Sequence, residues 1–99
     1  MSLISQEMKT TYLQRRRTDI EKCRSALSMG EFDLIARVGH KMKGNAETFG
    51  FHSLETIGTE LEKAAEENDP ANISQLLVQL GNVVDELSPE GEVSSKAEY

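Results

Sequence analysis

Asp69-Pro70-Ala71-Asn72-Ile73-Ser74-Gln75-Leu76-Leu77-Val78-Gln79-Leu80-Gly81-Asn82-Val83-Val84-Asp85-Glu86-Leu87 carries the clearest apolar period in the chain. Ile73, Leu76, Leu77, Leu80, Val83, Val84 and Leu87 recur at helical spacing and share one side of an α-helix. Asp69 reads as the N-cap and Pro70 as the first helical residue, where a missing N–H costs nothing extra. A helix with one apolar side buries that side against other elements.

Working upstream, the segment from about His52 to Glu67 presents Leu54, Ile57, Leu61, Ala64 and Ala65 on one side, and Asn68-Asp69-Pro70 ends it. Before it, Glu31 to Phe49 repeats Ile35, Val38, Met42, Ala46 and Phe49 as one seam, with Glu31 and Asp33 at its positive dipole end and Gly50 closing it. The first segment, about Ser5 to Ser28, carries Leu13, Ile20, Cys23 and Leu27, with Met8 and Tyr12 extending the stripe, and Gly30 suits a left-handed cap. Short breaks between four such segments make successive helices antiparallel neighbours. The expected fold is all-α, a four-helix up-down-up-down antiparallel bundle over residues 1–87, followed by a flexible C-terminal tail over 88–99 that has no apolar period.

Composition agrees with one small helical domain. The chain has 99 residues, few aromatics and two prolines, which disfavours a β-sandwich. A net charge of −6 argues against nucleic-acid binding, which depends on neutralising phosphates. Cys23 stands alone, so neither an internal disulfide nor a cysteine metal site is available, and a reducing cytoplasm is the simplest setting. No apolar run reaches the roughly 20 residues that a membrane helix needs. A monomer is the plainest expectation. Whether Met1-Ser2-Leu3 is native is open.

Each helical residue advances about 100°, which puts His40 roughly 170° from the core seam of its segment, facing water. Ala36 and Gly44, one turn before and after, lie within about 40° of it; Arg37 and Lys43 flank it at about 60°, and Glu47 is two turns along the same face. Glycine inside a helix costs about 1 kcal/mol relative to alanine. Gly39 and Gly44 beside one exposed histidine therefore suggest a docking face with a nucleophile at its centre, Gly44 leaving the ring uncovered. Exposed histidines are also often merely solvated, and glycines also serve helix packing, so geometry alone leaves both readings open. His52, at the start of its helix, is expected to have a capping or surface role.

The run His40-Lys41-Met42-Lys43-Gly44-Asn45-Ala46-Glu47-Thr48-Phe49-Gly50-Phe51 resembles the signature of histidine-containing phosphotransfer (HPt) domains. His40, Met42, Lys43, Gly44, Ala46, Phe49 and Gly50 fit in register. Asn45 stands where Ser or Ala is commoner, and Met42 where Leu is. The resemblance covers roughly residues 8–87 and implies a four-helix bundle in a two-component phosphorelay. His40 would accept a phosphoryl group from a receiver-domain aspartate and pass it to another receiver. Lys43 would stabilise phosphoryl charge, and Ala36, Arg37, Gly44, Glu47 and Phe51, or Phe32, would meet the partner. The implied partners are response-regulator receiver domains and a sensor (hybrid) histidine kinase. No cofactor of its own is implied, Mg²⁺ being expected only on the partner receiver. The alternative is a non-phosphorylated structural or interaction module that docks signalling partners.

Other chemistry is less well served. No Walker loop or nucleotide lid is present, so ATP-dependent kinase activity is not expected. A dimetal bundle needs inward Glu-x-x-His motifs, but position 37 is Arg and His40 points outward. Haem ligation fails because His40 is off the core seam and no C-x-x-C-H occurs. Cys23 falls on the apolar stripe and is expected to be buried and inert. Arg15-Arg16-Arg17 reads as a solvated face, with Arg15–Asp19 and Arg17–Glu21 pairs at i,i+4. The acidic stretch around Glu60, Glu62, Glu66 and Glu67 reads the same way.

Overall fold

The computed structural model describes residues 5–88. Among them are four α-helices and no strand: α1, Gln6–Ser28; α2, Phe32–Phe49; α3, His52–Glu66; and α4, Pro70–Leu87. The expected tail lies outside the described residues except for Ser88, which is buried and whose N–H donates to Val84 O at 3.0 Å. Met1-Ser2-Leu3 also lies outside them.

Local chemistry accounts for the helix ends. Ser5 Oγ accepts from Met8 N at 3.1 Å, and Asp69 Oδ1 from Asn72 N at 3.2 Å, each satisfying a donor that the first helical turn leaves unpaired. The three connections share one device. Gly30, Gly50 and Asn68 adopt left-handed conformations, with φ of 72°, 77° and 53°. After Gly50, Phe51 N donates to Ala46 O at 3.0 Å while Gly50 N donates to Glu47 O at 3.0 Å, a Schellman closure that reverses the chain within a few residues. The same pattern follows Gly30 and Asn68, where Glu31 N and Asp69 N donate to Ala26 O and Ala64 O. Asparagine tolerates this conformation better than most side chains.

The helices pack in a ring: α1 against α2 and α4, α3 against α2 and α4, with α2 and α3 the most extensively joined. Ile35, Met42, Leu54, Leu61, Leu77 and Leu80 are among the fully buried side chains, each contributing about 1.5–3 kcal/mol relative to an exposed position. Every expected apolar position of α3 is buried. In α4, Val83 and Leu87 are only partly so. No helix among the described residues is long and apolar enough to cross a membrane.

α1 departs from expectation. Met8 is 46% exposed, whereas Arg16, read as part of a solvated basic face, is buried at 8%. Neither expected i,i+4 pair is made: Arg16 Nε lies 2.9 Å from Asp19 Oδ2, a charge contact whose angle falls short of a hydrogen bond, and Arg17 Nη1 reaches across to Asp85 Oδ1 at 2.6 Å. Burying a guanidinium is costly unless it is compensated. Here Arg16 stacks over the Tyr12 ring at 4.3 Å and donates to Asn45 Oδ1 at 3.3 Å, while Tyr12 Oη donates to the same oxygen at 2.6 Å. Asn45, unusual at its place in the signature, is thus the acceptor that ties α2 to α1. Burial raises the Tyr12 phenol and the Asp19 carboxyl above their ordinary pKa values, Arg16 opposing the shift in both.

Candidate functional site

Two glycines set the separation of α2 and α3. A Cβ on Gly39 would lie 2.6 Å from Glu62 N and 2.7 Å from Gly58 O; one on Gly58 would lie 2.7 Å from Lys43 N and 2.9 Å from Gly39 O. Real Cβ atoms do not approach backbone so closely, so the crossing exists only with hydrogen at both positions. Gly39 is therefore a packing residue, the alternative that the sequence left open for it. Gly44 differs: a Cβ there would meet nothing within 4 Å.

The close crossing delivers a carboxylate to the histidine. His40 has a side chain 66% exposed, and its Nδ1 lies 3.1 Å from Glu62 Oε2. The other oxygen, Glu62 Oε1, lies 3.7 Å from Lys43 Nζ. One α3 carboxylate thus spans the two α2 side chains. Glu62 is the least exposed of the three at 22%. A carboxylate on Nδ1 selects the tautomer in which Nδ1 carries the proton and Nε2 presents its lone pair. With Gly44 open one turn away, the arrangement is an exposed imidazole oriented by a carboxylate that an ammonium also faces.

Of the residues singled out from the sequence, His40 and Lys43 come together at this site. Arg37, Gly44 and Glu47 are exposed and Ala36 is half-buried, all on α2. Phe51 is half-buried against the core at the turn between α2 and α3. Its ring joins a stack with Tyr12 at 5.9 Å and Phe49 at 6.4 Å, while Tyr12 and Phe49 are 4.3 Å apart. Phe49 lies on the side of α2 away from His40, packed against the core. Phe32 is likewise half-buried against the core. Glu62 was missed, having been read as one of several solvated acids. The signal for it was Gly58, a helix-interior glycine four residues before it that matches Gly39 across the interface.

The remaining sites carry less. Cys23 is fully buried, and that burial pushes its thiol up to about 12, so it is a poor nucleophile. Among the described residues no group of three or more His, Cys, Asp and Glu could hold a metal ion. A groove of about 510 Å³ between α1 and α2, lined by Met8, Tyr12, Arg16, Asn45 and Phe49 among others, does not include His40.

The model of the Hpt domain family matches residues 7–89, most of the chain, and the protein belongs to that family. Neither a curated protein nor a solved structure gave a significant match. Family membership supports a histidine phosphotransfer role in a phosphorelay, where Hpt domains interact with receiver domains and kinases.

Proposed function

We propose that the protein is a phosphohistidine carrier in which His40 accepts a phosphoryl group from a receiver-domain aspartate and returns it to another receiver. The observation that carries this reading is the His40 side chain, 66% exposed and held through Nδ1 by Glu62. In the forward step the Nε2 lone pair attacks phosphorus in line, the N–P bond forms and the P–O bond to the aspartyl carboxylate breaks. The aspartate leaves as carboxylate. The ring, now phosphorylated at Nε2 and still protonated at Nδ1, carries positive charge that the Glu62 carboxylate balances. Lys43, tethered through Glu62 Oε1, is within reach of the equatorial phosphoryl oxygens and offsets their charge. Reversal of the same steps returns the group to a carboxylate.

Docking in this reading uses Ala36, Arg37, Gly44 and Glu47, with Gly44 giving clearance. Phe51, engaged by Tyr12 and Phe49, steadies the turn between α2 and α3. The order of contacts, Gly39 against Glu62 and Gly58 against Lys43, supports an antiparallel α2–α3 pair, as an up-down-up-down bundle requires. The chain acts without a cofactor of its own and without ATP-dependent kinase activity. Mg²⁺ comes with the receiver, and the partners are receiver domains and a sensor or hybrid kinase. We place the protein as a cytoplasmic monomer.

Incubation with a receiver phosphorylated on its aspartate tests the reading. Acid-labile label should appear on the parent chain and be lost in His40→Gln while the helical circular dichroism persists. Label that survives this substitution refutes the assignment.

A further inference from the structure

The two flanks of His40 differ in charge. On the α3 side the cation is paired, Lys43 facing Glu62. On the α1 side, Lys22, Arg37 and Lys41 make no ion pair with any of the described residues, and all three line one groove of about 440 Å³ between α1 and α2. Its floor is apolar: Ala26 is buried, and Leu34 and Val38 are half-buried against the core. Glu31 is the one carboxylate that lines it. Asp19 lies close enough to feel both Lys22 and Lys41, but it is engaged by Arg16 at 2.9 Å. In a chain of net charge −6, this is a local concentration of unpaired positive charge. It is also adjacent to the proposed phosphoacceptor, since Arg37 and Lys41 lie about 60° and 100° around α2 from His40.

We propose that the α1–α2 groove is the electrostatic half of the docking surface, seating a segment of the receiver that carries carboxylates on either side of an apolar side chain. The apolar residue rests on Leu34 and Val38, and the carboxylates meet Lys22, Arg37 and Lys41. This fixes the orientation of the partner: its acidic side lies over α1 and α2, away from the Glu62 flank, where like charge would repel it. Cations at the rim of a contact act mainly on the rate of encounter and lose force as salt screens them. A nucleic-acid backbone would meet the same cations but has no use for the apolar floor, and the other carboxylates of the chain would oppose it.

The proposal rests on the reading of His40 as phosphoacceptor, and the experiment separates the two. A receiver domain that labels the parent chain is used as probe, with phosphoramidate, a small phosphoryl donor, in parallel. Lys22→Glu/Lys41→Glu should slow labelling by the receiver about tenfold at low ionic strength, and the gap should narrow at high salt. Lys22→Arg/Lys41→Arg should keep the parental rate. Labelling of the charge-reversed variant by phosphoramidate should stay close to parental, because that donor needs no docking. Parental receiver transfer in the charge-reversed variant at low salt overturns the groove assignment and leaves His40 standing. So does a defect insensitive to salt, or one shared equally by phosphoramidate. Tighter binding of RNA than of the receiver, lost on charge reversal, also overturns it. A parent chain that neither donor labels on His40 overturns the underlying reading instead.

Discussion

Both histidines place Nδ1 near a glutamate, His40 at 3.1 Å from Glu62 and His52 at 3.3 Å from Glu55, yet the two pairs are built differently. His52 and Glu55 are three residues apart on the first turn of α3, and the His52 side chain is 88% exposed. Only their own torsions keep them together, and among the described residues no lysine is paired with that carboxylate. His40 and Glu62 are 22 residues apart and come from two helices whose separation is set by Gly39 and Gly58. The imidazole–carboxylate contact is then a property of the helix crossing. The lesson is that a similar contact distance can be a passing surface contact or a geometry imposed by packing, and the difference lies in the backbone beneath.

The largest expected effect breaks the comparison at the rings themselves. His40→Gln should abolish phosphoryl acceptance, whereas His52→Gln should leave the rate of labelling unchanged; equal losses in the two variants would erase the distinction. Next come the glycines. Gly58→Ala forces a Cβ into the Lys43 backbone, and it should cost about 1–3 kcal/mol of stability and slow labelling together, as read by urea unfolding and transfer kinetics. Gly44→Ala, with open space around it, should instead stabilise the helix by up to about 1 kcal/mol. If both alanines proved neutral, the crossing would not govern the site.

Smaller effects come from the charged pair. Lys43→Ala should lower the transfer rate about tenfold, equivalent to about 1.4 kcal/mol of transition-state stabilisation, with unfolding midpoints unchanged. Glu62→Gln keeps the acceptor oxygen but removes the charge, so it should slow transfer by less than Lys43→Ala does. Single-turnover kinetics on both variants would rank them, and parental rates in either would remove that residue from the mechanism. An effect on stability alone is expected at a buried group that the proposed transfer does not use. Burial holds the Cys23 thiol up at about 12, chiefly by desolvation and secondly by Asp19. The folded state therefore keeps a proton that the unfolded chain gives up near its ordinary value of 9, so this contribution to stability is complete below about pH 9 and is lost as pH rises toward 12. Urea midpoints at about pH 8 and pH 10.5 should diverge less in Cys23→Ala than in the parent.

Much of the fold was legible because apolar spacing on α3 and α4 follows the helical period with little interruption, and because Gly30, Gly50 and Asp69-Pro70 punctuate it. α1 was read less well. A period count has no way to distinguish an arginine that points to water from one stacked on a tyrosine, and Arg16 is the second kind. The orientation of His40 followed from its angle to the seam on its own helix, and the low surface at Gly44 followed in the same way.

The chain alone determined which residues share a helix face, where each helix stops and that His40 stands outward from the bundle, because these depend on spacing of about 3.6 residues per turn and on local backbone chemistry. Only tertiary structure decided that Gly39 is a contact point, that Gly58 answers it, and that Glu62 joins His40 to Lys43. Those facts depend on the distance between two helices. That distance is set by how closely two backbones can approach when neither carries a side chain at the crossing, a quantity that periodicity within one helix does not contain.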